Sequence, residues 1–170
     1  MTDRLVFVRL SVLGVLLCGL LLGVSSQYFG VPLVAAVPLA KETSLLKVAF
    51  LDVGQGDAIY IESPEGVQVL IDGGPDATVL RSLAAAMPFM DKELDLMIAT
   101  HRDKDHIGGL VDVLERYEVK QLLLTKNTGD TTTSEAFDSA VTEEGLAVAY
   151  AEAGLMITLG ASTTLTILSP

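Results

Sequence analysis

Both histidines of this 170-residue chain, His101 and His106, fall inside one ten-residue stretch, "THRDKDHIGG", from Thr100 to Gly109. Asp103 and Asp105 stand between them, and Asp112 follows shortly after. Neutral imidazole and carboxylate are the usual ligands of zinc, manganese and iron, and several must converge on one point to hold a cation. Taken singly, each residue has a plainer explanation: Asp105 caps the helix that follows, and the histidines are solvated. Taken as a set of four at this spacing, His101, Asp103, Asp105 and His106 favour a metal.

The elements around the loop have to do the positioning. "LDLMIAT" directly before it is a nearly continuous apolar run, the pattern of a strand buried on both faces. Directly after it, Leu110, Val113, Leu114 and Tyr117 keep the spacing of an amphipathic helix. His101 is therefore expected at the C-terminal end of a buried strand, with Asp105 and His106 just before a helix. Strand ends of this kind are where open α/β sheets place ligands. Gly108 and Gly109 would let the helix begin close to the cluster, because no Cβ intervenes.

Upstream, "LKVAFLDV", "DAIYIES" and "VQVLIDGG" predict three strands joined by tight turns at "GQG" and "SPEG", and hence antiparallel pairing. A helix is expected from a cap at Asp76 through Leu80, Leu83 and Met87, ended by Pro88. Downstream, "VKQLLL" reads as a strand. Thr132 and Glu135 read as a capping box for a third helix through Phe137 and Val141, stopped by Gly145. "LAVAYA", "LMITL" and "TTLTILS" close the chain as strands. Hairpin strands followed by alternating helices and strands predict a layered α/β (α+β) fold.

The beginning of the chain is different. Leu10 to Ala40 contains no charged residue, and "LSVLGVLLCGLLLGV" within it can supply the roughly 20 apolar residues of a membrane-spanning helix. Arg4 and Arg9 precede it and an acidic segment follows. The positive-inside rule then puts the N-terminus in the cytoplasm and the remainder outside the cell membrane as a single-pass protein. The competing expectation is a secretory signal cleaved near Val34-Ala35-Ala36, releasing the rest. Residues 1–27 are thus read as an anchor or signal, 28–45 as a linker with Pro32 and Pro38, and 46–170 as the exported domain. Cys18 is the single cysteine, so no disulfide forms within the chain. The net charge is −11, and only Asp3 of the acidic residues lies before Lys41. Such a surface repels nucleic-acid backbones unless metal or another polypeptide offsets it.

The stretch "THRDKDHIGGL" resembles the His-x-[His/Asp]-x-Asp-His loop of the metallo-β-lactamase superfamily. "LDVGQGDAIYI" and "VLIDGG" resemble one branch of it, the exported domain of ComEC-type DNA-uptake (competence) proteins, over about Leu46 to Pro170. This resemblance implies a fold of two αβ halves packed as an αββα sandwich, of which this chain would be the N-terminal half. It implies two divalent metals, zinc or manganese with magnesium as a further option, and a hydrolase acting on a phosphoester substrate, DNA among the options. His101 and Asp103 would hold the first ion, Asp105 and His106 the second, with Asp105 also the catalytic carboxylate. Asp72 would orient the loop from behind, although a turn residue beside Gly73 and Gly74 explains it equally. Asp52, Gly54, Gln55, Gly56 and Asp57 would rim the site, their glycines also reading as a turn rich in positive φ. Asp103 stands where many relatives have histidine, which favours manganese or magnesium relative to zinc. The family's further ligands, an aspartate and histidines of the second half, have no counterpart before the end at "TILSP". The sequence therefore reads as a fragment expected to show little hydrolysis alone, or as a non-enzymatic tethered binding module. Protein partners are not specified.

Overall fold

The computed structural model describes residues 45–169. The anchor, the cleavage site and most of the linker lie outside the described residues. Among the described residues no helix is long and apolar enough to cross a membrane.

β1 (Lys47–Phe50), β2 (Ile59–Glu62) and β3 (Gln68–Ile71) run antiparallel, as the sequence predicts. The connection between β1 and β2 is not a tight turn; residues 51–58 form a longer loop, closed at its base by the Leu51 N–H donating to the Ala58 carbonyl at 2.9 Å. α1 (Thr78–Ala86), β4 (Glu93–Leu94), β5 (Leu96–Ala99) and α2 (Lys104–Leu114) follow. Then come β6 (Glu118–Val119), β7 (Gln121–Leu124), α3 (Thr132–Glu144) and β8 (Ala147–Tyr150). β9 (Met156–Thr158) and β10 (Thr164–Thr166) pair with each other as a hairpin.

The main sheet has the order β1-β2-β3-β5-β7-β8, and its last four strands are parallel. Helical crossovers join parallel neighbours because a parallel return needs a long connection. Alternation divides each strand between two apolar layers. Leu70, Met97 and Leu122 pack beneath the helices with Val79, Leu83, Leu110, Val113 and Phe137. Val69, Ile98 and Leu123 face the other way, where Leu159 and the hairpin residues Ile157 and Leu165 cover them. At the β1 edge of that second face, Val48 and Phe50 remain 49% and 81% exposed.

Several boundaries differ from the sequence reading, each for a local reason. "LDLMIAT" and "VKQLLL" are each interrupted, at Asp95 and at Lys120. The Asp95 carboxylate accepts from the Gln68 N–H at 2.8 Å and from Lys120 Nζ at 2.8 Å. The residues before the two breaks pair separately as β4 and β6. Asp76 stands one residue before the N-cap Ala77, yet its Oδ1 still accepts from the Thr78 N–H at 2.9 Å. Hydrogen bonding from Thr78, through its side chain first and its N–H second, holds the Asp76 carboxyl below its usual range. The cap of α3 is Thr131 and not Thr132: its hydroxyl accepts from the Ser134 N–H at 3.2 Å. Gly145 ends the helix in the left-handed region at φ 64°.

Candidate metal centre

α2 begins at Lys104, so Asp105 and His106 lie in its first turn and not before it, and Asp103 is its N-cap without a side-chain capping bond. The carboxylate at that cap is left for other partners.

Asp72 follows β3 with φ 56°, a conformation that non-glycine residues adopt rarely and mostly as Asn or Asp. Its N–H donates to the Ile98 carbonyl at 2.9 Å, extending the β3–β5 pairing. Its side chain is buried and accepts three bonds. The Thr100 N–H reaches Oδ1 at 2.8 Å, the Thr100 hydroxyl reaches Oδ2 at 2.5 Å, and His106 Nδ1 lies 2.9 Å from Oδ2. A carboxylate only accepts, so His106 Nδ1 carries the proton. The Thr100 hydroxyl has given its own proton to Asp72. Its oxygen, 2.9 Å from His101 Nδ1, therefore accepts from that ring as well. In the neutral form of either imidazole, the one able to ligate a metal, the lone pair thereby falls on Nε2.

The two Nε2 atoms each face a carboxylate. His101 Nε2 is 3.8 Å from Asp103 Oδ2, and His106 Nε2 is 3.9 Å from Asp105 Oδ2. With metal–ligand bonds of about 2.1 Å, a cation bridges a nitrogen and an oxygen up to about 4.2 Å apart. Both pairs satisfy this. The rings adjoin, their centroids 3.6 Å apart and tilted by 45°. Asp72, His101 and His106 also offer atoms within 4.8 Å of one another. The oxygens of Asp72 are already taken by Thr100 and His106, so its place is behind the histidines, orienting them.

The glycines hold backbone against backbone. A Cβ on Gly109 would lie 2.2 Å from the Gly73 carbonyl oxygen, and one on Gly108 2.2 Å from that of Pro75. Contrary to expectation, these residues seat α2 on the segment after β3, not directly against the cluster. The Gly73 N–H donates to the His106 carbonyl at 2.7 Å and the Gly109 N–H to that of Gly74 at 3.0 Å. This lacing fixes His106 relative to Asp72.

The 51–58 loop contributes by its backbone. Gly54 and Gly56 have φ 77° and 101°, and Gly56 lies against the Asp105 carbonyl, where a Cβ would not fit. Asp57 accepts from the Gly74 N–H at 3.0 Å through its carbonyl. Asp52 is turned elsewhere: its Oδ1 accepts from the Gly54 N–H and its carbonyl from the Ser82 hydroxyl of α1. Gln55 is exposed. Thr100 has a place in the network that sequence reasoning did not give it. The one available signal was a hydroxyl residue immediately before the first histidine.

Residues 51–160 match the family model described as the metallo-beta-lactamase superfamily. This chain is a member of that superfamily. It is 31% identical over 125 residues to ComE operon protein 3 of Bacillus subtilis (strain 168), which supports the ComEC-type branch. That match covers 64% of this chain and 16% of the relative. Among solved structures, a metallo-beta-lactamase mutant from Cronobacter sakazakii aligns with TM-score 0.51 and 17% identity, covering 71% of this chain and 50% of that one. The chemotaxis sensor ODP, solved as a peroxy diiron species, aligns with TM-score 0.50 and 18% identity over 74% of this chain and 49% of that one. The chain thus spans about half of these solved relatives and a small part of the curated one. At such identities the solved structures speak for the fold alone. A mixed α/β superfamily fold with a candidate divalent-metal site at the exit of β5 is what the sequence anticipated.

Proposed function

We propose that this protein is a metal-dependent hydrolase of the ComEC-like branch acting on phosphoesters, with DNA or another exported phosphoester as substrate. One observation carries the reading: the Asp72–Thr100 network turns both Nε2 lone pairs toward carboxylates. His101 and Asp103 would hold one ion, and Asp105 and His106 the other. Divalent ions held there would lower the pKa of water and offset charge on phosphoester oxygens. Asp72 and Thr100 keep the imidazoles in one tautomer, and Gly56 brings the 51–58 loop down onto Asp105. Carboxylate at Asp103 favours manganese or magnesium over zinc.

Among the described residues each ion would have two protein ligands, fewer than the three or four that fix a catalytic zinc. In this reading the described residues supply the N-terminal half of an αββα sandwich. The exposed Val48 and Phe50 supply part of the face that a second half would bury. The same ligand deficit supports the second reading, a tethered binding module without catalysis. Residues 1–27 are proposed as the anchor or signal that places the domain outside the cell membrane, supported by Arg4 and Arg9 before an uncharged run.

Metal content separates the readings. The 170-residue chain, equilibrated with manganese and desalted, is expected to retain close to two ions, and the His101→Ala/His106→Ala variant none. Retention of no metal by the parent would leave only the binding-module reading. Hydrolysis of bis-p-nitrophenyl phosphate by this polypeptide is expected to be slow, and a donor-complete longer form faster.

A further inference from the structure

Arg102 lies between the two residues assigned to the first ion, yet its side chain leaves the site. Only 11% of it is exposed, and its Nη1 donates to Asp138 on α3. Its Cζ stands 5.3 Å from the centre of the Phe137 ring. The backbone at the same residue is held too: the Arg102 carbonyl accepts from the Ser134 hydroxyl at 3.3 Å. Ser134 in turn lies 2.8 Å from the Thr131 cap hydroxyl. Gly129 closes the other side, where a Cβ would come within 2.0 Å of Ser134 Oγ and 2.9 Å of Arg102 Cβ. α3 also shares the apolar layer beneath the sheet with α2, through Phe137 and Val141 beside Ile107 and Leu110.

The two halves of the site are supported unequally. His106 is 12% exposed and bonded directly to the buried Asp72 carboxylate, whereas His101 is 41% exposed and reaches Asp72 only through Thr100. The direction of His101 and Asp103 therefore depends on where the backbone between them is pinned. We propose that Arg102 is a positioning residue that ties the His101–Asp103 pair to α3 through Asp138, Phe137 and Ser134. This rests on the metal reading above. Arginine suits the task because its planar group pairs with a carboxylate and stacks on an aromatic ring together, which lysine does not reproduce.

The test is calorimetric titration of the full chain with manganese, alongside Arg102→Ala, Arg102→Lys and Asp138→Asn, with thermal unfolding of each. The expected result is a loss of roughly 10- to 100-fold in affinity for one of two equivalents, as for other orienting residues around metals. The second equivalent should stay unchanged, and Arg102→Lys should recover part of the loss. Cobalt substituted for manganese should show an altered visible spectrum at one site only. Equal affinity of parent and Arg102→Ala for both equivalents overturns the proposal. So does parallel loss of both equivalents with a lowered unfolding temperature, which would make Arg102 a general packing residue. A parent chain that binds no metal would instead remove the underlying reading.

Discussion

Asp72 Oδ2 lies 2.9 Å from His106 Nδ1, across 34 residues of sequence, and the same carboxylate holds both the N–H and the hydroxyl of Thr100. One buried group thus sets the tautomer of one histidine directly and of the other through a hydroxyl. Ligand orientation here is a property of β3 and β5 being neighbours.

Asp72→Asn should separate orientation from folding. The amide keeps the shape but presents one donor where two acceptors stood, so a donor must face either the Thr100 N–H or His106 Nδ1. His106 is expected to move its proton to Nε2 and lose metal affinity by roughly 10- to 100-fold. Nitrogen NMR of the imidazoles and metal titration check this; an unchanged tautomer with full affinity would show that Asp72 does not govern the ring.

Thr100→Val removes the link between Asp72 and His101 without changing volume much. About a tenfold loss in affinity for one ion is expected, with a stability cost of about 1 kcal/mol for the lost bonds. Thr100→Ser should restore both. Full affinity of the valine variant for both ions would show that the hydroxyl does not orient His101.

Gly109→Ala should act on stability. The added Cβ would meet the Gly73 and Asp76 carbonyl oxygens at 2.2 and 2.5 Å, both backbone atoms that yield little. A cost of about 3 kcal/mol is expected from such overpacking, read as a lowered urea midpoint. Gly145→Ala, where nothing lies within 4 Å, should cost less despite its positive φ.

Alkaline stability should depend on Tyr60. Burial, reinforced by the neighbouring Glu62, holds its phenol above the usual tyrosine range, and its hydroxyl donates to Glu62 at 3.2 Å. A raised folded-state value means this stabilising contribution is complete below the unfolded pKa of about 10 and is lost as pH rises beyond it. Tyr117, also raised by burial, acts in the same direction. Tyr60→Phe is therefore expected to lose less stability between pH 9 and about 11 than the parent. Identical slopes of urea midpoint against pH would sink this assignment.

Much was legible from the residues alone. Leu110, Val113 and Leu114 announce the face of α2, and "LDLMIAT" announces a strand buried on both sides, because apolar periodicity reports the geometry of a single element. His101, Asp103, Asp105 and His106 could be nominated because their types and spacing are chemical facts of one short segment. Strand ends at Asp95 and Lys120 were not legible, since the break follows from a carboxylate turning to partners distant in sequence, the Gln68 N–H of β3 and the Lys120 ammonium. The α3 cap was misplaced by one residue because Thr131 and Thr132 are equivalent as letters and differ only in backbone angle.

Sequence by itself determined which groups could bind a cation and which elements flank them. Tertiary structure decided which nitrogen of each ring is offered, what stands behind it, and that Arg102 reaches α3 rather than the site. The physical reason is that a hydrogen bond between Asp72 and His106 depends on the register Ile71↔Ile98 between two parallel strands. A register of that kind is fixed by the packing of both strands together, and neither segment contains it alone.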